Sequence, residues 1–472
     1  MKTNFTFLIT FLPIIAFSQT PMSIENLPDM TVARSAHVQI ANASNQFTVI
    51  GGHVNGFNLT KNSETYNSTT KNWSSGISSD NRDMGFVAML NNGKYLVGGG
   101  CSSRLGVGQL ATSEIYDPTS NSFTAAASMN VIRTNVCAAT LKDGRVLVVG
   151  NWYASASYAE IYDPVANTYT LTGACQVARA LPVVIPTNDG GAIVCGGLGI
   201  YGAAPSKYIF EKYNPVSNSF SELSNTLFNG ETSWNIACYT PTMTQQYLMP
   251  DGKYAILVYN TANTLARLIS IDPATSKIEE ILTQKPIPLV DEANSSLTYG
   301  CARTLMIDQT RKLLHIIQQG GTTSNIILRI VSINLQTGSV NVSKMDGFDY
   351  SVSSSNLSML QDGRILFTGG NKFDNFTLSA KAFIISPARY VETGLKNSSV
   401  NSVSAHWDAQ AQAFLLNQEV ASATLFNLTG RTILKTENSR LIRTNSLASG
   451  IYIIRIRLLY SKEIQSLKVF KP

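Results

Sequence analysis

The chain has 472 residues, 44% of them apolar and only 14% charged, with a formal net charge of +6. That is ample material for one large domain and one small one. The positive excess does not argue for nucleic acid. From Arg431 onward there are nine Lys or Arg against two Glu, Lys2 adds one more positive charge, and the remainder is left with a net charge of −2.

Residues 1 to 18 combine Lys2, an apolar run from Phe5 to Phe17 and the small residues Ala16 and Ser18, which reads as a secretory signal peptide cleaved after Ser18. A membrane anchor is the alternative, but Pro13 interrupts the run and it falls short of the roughly 20 apolar residues a spanning helix needs. No Cys follows the cleavage site, so nothing points to a lipoprotein. No other segment is long and apolar enough to span a bilayer as a helix.

A self-copy follows. Glu114 to Phe123 (EIYDPTSNSF) returns as Glu160 to Tyr169 (EIYDPVANTY) and as Glu211 to Phe220 (EKYNPVSNSF), with weaker copies near Tyr66, Ile271, Ile333 and Ile384. The landmark position thus recurs at Tyr66, Tyr116, Tyr162, Tyr213, Ile271, Ile333 and Ile384. A repeat of this length, built from short apolar runs and turn signals without helical periodicity, predicts β-propeller blades.

Each unit reads as four strands, a to d. Asn92-Gly93, Asp143-Gly144, Asp251-Gly252 and Asp362-Gly363 predict two-residue hairpin turns between strands a and b. Double glycines at Gly51-Gly52, Gly98-Gly99, Gly196-Gly197, Gly320-Gly321 and Gly369-Gly370 predict close backbone approach or an abrupt exit from strand b. Strand c ends at the Tyr-Asp-Pro step, and an aromatic (Trp73, Phe123, Tyr169, Phe220) opens strand d.

With an Arg before strand a added, this pattern resembles the Kelch-type propellers, a family that includes the galactose-oxidase-like enzymes. The resemblance covers roughly residues 21 to 391 and is strongest in the first four units. It implies an all-β, seven-bladed Kelch-type β-propeller over residues 19 to 391. The last copy stops after strand c, so Ile24 to Met30 is expected to supply the missing strand of the seventh blade.

After a linker at 392 to 396, residues 397 to 472 depart from the repeat. Ala423 to Arg431 (ATLFNLTGR), Leu447 to Ile453 (LASGIYI) and the last strand around Lys468 and Lys471 resemble the type A C-terminal sorting domain of the type IX secretion system of Bacteroidetes. That likeness implies a small β-sandwich recognised by the secretion machinery. The expected address is therefore the cell surface or the medium, reached through the periplasm.

The chemistry is less legible. His37, His53, His315 and His406 are scattered without ligand spacing, so no metal or other cofactor is expected. A galactose-oxidase-like copper site would need two histidines and a Cys-linked Tyr, for which Cys101 is the sole starting point. No Gly-Lys-Ser/Thr phosphate loop and no Gly-x-Ser-x-Gly elbow occurs. The cysteines Cys101, Cys137, Cys175, Cys195, Cys238 and Cys301 fit either buried thiols or disulfides, with Cys238 and Cys301 as the best-placed pair.

Binding is expected on the face that carries the d–a and b–c loops. Arg34, Arg82, Arg133 and Arg179 stand there, one before each of four strands a, either as an anion-binding rim or as staples of the d–a loops. Trp152, Tyr153 and Tyr201 in the b–c loops offer stacking surfaces for sugar rings. The leading expectation is a glycan- or protein-binding module. The alternative is a carbohydrate-active enzyme, either a sugar-acid mutarotase or a galactose-oxidase-like oxidase.

Overall fold

The computed structural model describes residues 17–20, 22–41, 46–55, 58–78, 80–103, 108–152, 158–197, 210–223, 227, 234–235, 247–260, 265–281, 287–288, 304–322, 325–352, 355–372, 377–387, 389–392, 405–408, 411–427, 431–444, 447–458 and 464–471. Most of the expected signal peptide and the pair Cys238 and Cys301 lie outside them. The chain divides into two compact units, Pro21–Ala388 and a second made of Arg389–Pro472 with Met1–Thr20. Among the described residues no helix is long and apolar enough to cross a membrane.

The larger unit is built from antiparallel sheets of four or five strands that follow each other along the chain. Sheet one is Val38–Ala41, Gln46–Ile50, Asn62–Asn67 and Asn72–Ile77. Sheet two is Phe86–Met89, Tyr95–Gly98, Ser113–Asp117 and Ser122–Ala125. Sheet three starts at Cys137–Thr140, sheet four at Val183–Pro186, sheet five at Trp234–Asn235 and sheet six at Thr304–Asp308. Sheet seven takes Ser355–Met359, Ile365–Gly369 and Ala382–Ser386, and its fourth strand is Ser23–Asn26 from the other end of the unit. Ile24 lies opposite Ile385 in that pairing.

There is no single core. Apolar residues alternate along the strands so that both faces of a sheet are covered by its neighbours. Val38, Ile40 and Ile50 of sheet one meet Val87, Val97 and Tyr116 of sheet two. Phe86 and Leu96 meet Val136 and Val148 of sheet three. The same sharing continues between sheets three and four, four and five, five and six, and six and seven. Leu27, Leu366 and Ile384 then meet Phe47 and Tyr66 of sheet one, which returns the packing to its start.

The Gly turns between first and second strands are three-residue loops rather than the expected two-residue ones. Gly93 N–H donates to Leu90 O (3.0 Å) and Leu90 N–H to Lys94 O (2.8 Å), so only the glycine takes the left-handed conformation (φ 79°). The Asn92 side chain instead accepts from Lys94 N–H at 3.1 Å, as Asp143, Asp251 and Asp362 do from their own i+2 residues. The third-to-fourth-strand turn is fixed from within: the Tyr116, Tyr162 and Tyr213 hydroxyls donate to Asn121, Asn167 and Asn218, all at positive φ. Each Asn also reaches the preceding sheet, for example Asn167 Oδ1 accepting from Ala127 N–H at 2.9 Å. The glycine pairs depart from expectation in two sheets. The left-handed pair in sheet two is Gly99-Gly100, and in sheet six Gly320 and Gly321 stay inside the strand Leu313–Thr322.

In the smaller unit the long strand Ala413–Phe426 is central, flanked by Ala405–Asp408, Thr432–Arg443 and Gly450–Leu458, with Ile464–Lys471 beyond. Phe414, Val420, Leu425, Ile454 and Ile456 form its core. Lys471 is buried, its ammonium donating to Thr444 O (2.8 Å) and Leu447 O (2.5 Å) and lying 5.1 Å from the Trp407 ring centroid. Separately, Phe17–Thr20 pairs with Arg389–Glu392.

Deleting Ser23–Asn26 removes the outer strand of sheet seven and frees the edge of Ala382–Ser386. The thermal midpoint is expected to fall by about 5 °C or more, with aggregation on heating. An unchanged melting curve would refute closure of this sheet by the N-terminal strand.

Candidate functional site

Arg34, Arg82, Arg133 and Arg179 are all buried, the first two completely. Arg34 pairs with Glu64 at 2.6 Å, Arg82 with Glu114 at 2.9 Å, Arg133 with Glu160 at 3.2 Å, and Arg179 with Glu211. A second guanidinium nitrogen donates to the carbonyl of a glycine 17 residues on: Gly51, Gly99, Gly150 and Gly196. The carboxylates also hold the approach to each first strand, Glu64 accepting from Thr31 and Val32 N–H and Glu160 from Asn130 and Val131 N–H. Burial lowers the pKa of Arg34 and Arg133, and their glutamates oppose that shift. The repeat's leading Glu went unassigned from sequence. Its spacing of 30, 32, 27 and 32 residues from the arginines was the signal available.

An exposed anion-binding rim of these arginines is therefore not what the fold presents. An acidic ligand needs accessible donors, whereas these forks face inward and are engaged by carboxylates and carbonyls. Trp152 is half-buried, its backbone N–H donating to Thr134 O at 3.2 Å. Tyr153 and Tyr201 lie outside the described residues.

What the arginine staples do is aim the residues beside them. Two positions after each Arg, Ala36, Met84, Asn135 and Leu181 adopt positive φ of 48° to 53°. Met84 N–H donates to Ala36 O, Asn135 N–H to Met84 O and Leu181 N–H to Asn135 O, a belt of backbone bonds crossing from sheet to sheet. The glycines permit it by letting strands meet: Gly52 N–H reaches Arg82 O at 2.8 Å, and Gly370 N–H reaches Arg34 O at 2.8 Å, where a Cβ would collide with Ser35 O and with the Ser355 side chain, respectively.

The residue after each Arg then meets the residue after the glycines. Ser35 and His53 bond through their backbones in sheet one, as do Asp83 and Cys101 in sheet two. Side chains join one sheet to the next. His53 Nε2 lies 2.6 Å from Asp83 Oδ2, and Cys101 is hydrogen-bonded to Thr134. Burial is the main reason the Cys101 thiol is pushed up to about 11, so it stays protonated at neutral pH. Asp83 is 3% exposed, and its second oxygen, Oδ1, is buried without a hydrogen-bond partner among the described residues. An orphan carboxylate oxygen is costly and calls for a donor from water or a ligand. In sheet three and the loop before it, Tyr158 and Ile132 are 46% and 53% exposed, and Asn151 Nδ2 donates to Ile132 O at 2.7 Å.

Replacing Arg82 by Ala strands Glu114 in the interior and is expected to cost about 3–5 kcal/mol in denaturant unfolding. The paired change of Arg82 to Met and Glu114 to Leu should recover most of that loss. A single variant as stable as the parent would show that the pair does not hold the loop.

No family model matches the chain, and no curated protein matches it. Among solved structures it is similar to a fungal alcohol oxidase of the AA5 family in complex with copper, at 15% identity and a TM-score of 0.50, over 96% of this chain and 99% of that one. The likeness supports an all-β fold of galactose-oxidase-like type. Among the described residues no group of three or more His, Cys, Asp or Glu is placed to hold a metal. His37 Nε2 is bonded to Thr368 and His315 Nδ1 to Ser332, while Cys101 meets Thr134 and Asp83.

Proposed function

We propose that this chain is an exported seven-bladed Kelch-type propeller that binds a glycan through its d–a and b–c loop face. The observation that carries the binding assignment is the buried orphan oxygen of Asp83 beside His53, Cys101 and Thr134. A water held on that oxygen would pass the hydrogen bond on to a sugar hydroxyl, and the exposed side chains of Ile132 and Tyr158 would offer apolar surface to a ring. The seven blades rest on the sheet order and on packing that returns from sheet seven to sheet one.

Export rests on the sequence of residues 1 to 18, and delivery across the outer membrane on the likeness of residues 397 to 472 to a type IX sorting domain. Under this reading the smaller unit is read by the secretion machinery, and the protein works at the cell surface or in the medium. A carbohydrate-active enzyme on the same scaffold is the second reading, favoured by the fold likeness to the AA5 alcohol oxidase.

Two experiments test the proposal. On a glycan array, the mature protein should bind a restricted set of glycans, and Asp83→Ala should weaken that binding at least tenfold, the value of one hydrogen bond to a charged group of about 1.5–3 kcal/mol. Circular dichroism of the same variant verifies that it is folded. No glycan bound, or equal binding by a folded variant, overturns the site. Separately, removal of residues 397 to 472 should leave the protein in the periplasm of a Bacteroidetes host, and its appearance outside the cell would overturn the sorting assignment.

A further inference from the structure

On the opposite, turn-bearing side of the larger unit, a cleft of about 520 Å³ opens between sheets five and six. That volume falls within the roughly 300–1,000 Å³ of small-molecule sites. Its apolar lining is Met249, Ile281 and Leu335, which belong to or pack on the core shared by the two sheets. Ser270, on the third strand of sheet five, also lines the cleft. It is 6% exposed, and its hydroxyl makes no side-chain hydrogen bond among the described residues.

The charges around the cleft are unequally engaged. Glu280 is gripped through both oxygens by Arg267, at 2.9 and 2.6 Å. Glu279 meets Lys277 at 2.5 Å and Lys253 at 3.8 Å. Asp251 accepts from Lys253 N–H within its own turn. Lys312, on the facing turn of sheet six, makes no ion pair among the described residues. The acidic side chains therefore already have donors, which leaves the ammonium of Lys312, the hydroxyl of Ser270 and the side-chain amide of Gln336 to engage a ligand.

We propose that this cleft binds a small amphipathic carboxylate. Its tail lies on Met249, Ile281 and Leu335, and its carboxylate accepts from Lys312 Nζ and Ser270 Oγ. The site is distinct from the loop face proposed for glycans, so each assignment stands or falls alone.

The test is calorimetric titration of the intact protein with three probes that share one tail: octanoate, octan-1-ol and octylammonium. Octanoate is expected to bind at least tenfold more tightly than either of the others. Lys312→Asn is the informative variant, because Lys312 has φ 55° and Asn tolerates that conformation. It should bring octanoate down to the affinity of octanol without lowering the melting temperature, and Ser270→Ala should weaken octanoate alone. Absence of octanoate binding, equal affinity for all three probes, or unchanged octanoate affinity in Lys312→Asn overturns the proposal. Preference for octylammonium overturns it as well, since Glu279 and Glu280 would then set the specificity.

Discussion

A guanidinium and a carboxylate withdrawn together from water organise the first four sheets. Either ion alone would face a desolvation cost of several kcal/mol, and together they offset it only if their remaining donors and acceptors are satisfied. The backbone does this. Each Arg takes a glycine carbonyl of the second strand, and Glu64 and Glu160 take amides from the segment leading into the first strand. Three segments distant in sequence thus meet at one buried point. The left-handed residues beyond each Arg, and the backbone belt they form, follow from that anchoring.

Between sheets six and seven a neutral device does comparable work. Gln319 is fully buried; its amide donates to Tyr350 O at 2.6 Å and accepts from Val352 N–H at 2.9 Å. One amide supplies both a donor and an acceptor, so no counterion is needed. This joint runs from the second strand of sheet six to the segment leading into sheet seven, whereas each Arg–Glu pair joins segments of one sheet.

Much of this was readable from the chain because turns and strands are local. The Asp-Gly and Asn-Gly steps located the hairpins, and Tyr116 with Asn121 marked a turn closed within a few residues. The length of the loop was not readable, since Asn92 and Gly93 are compatible with both the two- and three-residue forms. The arginines were found but their orientation was not. Whether Arg82 faces solvent or Glu114 depends on a partner 32 residues away, and the recurrence of both letters in each repeat does not by itself say that they touch. His53 and Asp83 likewise meet only because consecutive sheets bring their loops together, so two scattered letters become neighbours in space.

The pairing of Ser23–Asn26 with Ala382–Ser386 also sets an order of events. The first strand of the larger unit has its partner in that unit's last sheet, so its ladder cannot form until nearly all of the unit has been synthesised. Contacts so remote in sequence are entropically slow to form. Until then Ser23–Asn26 is a strand without its partner. The larger unit is consequently an all-or-none object with respect to truncation: a chain cut before Ala382 retains its opening strand but has no ladder to receive it.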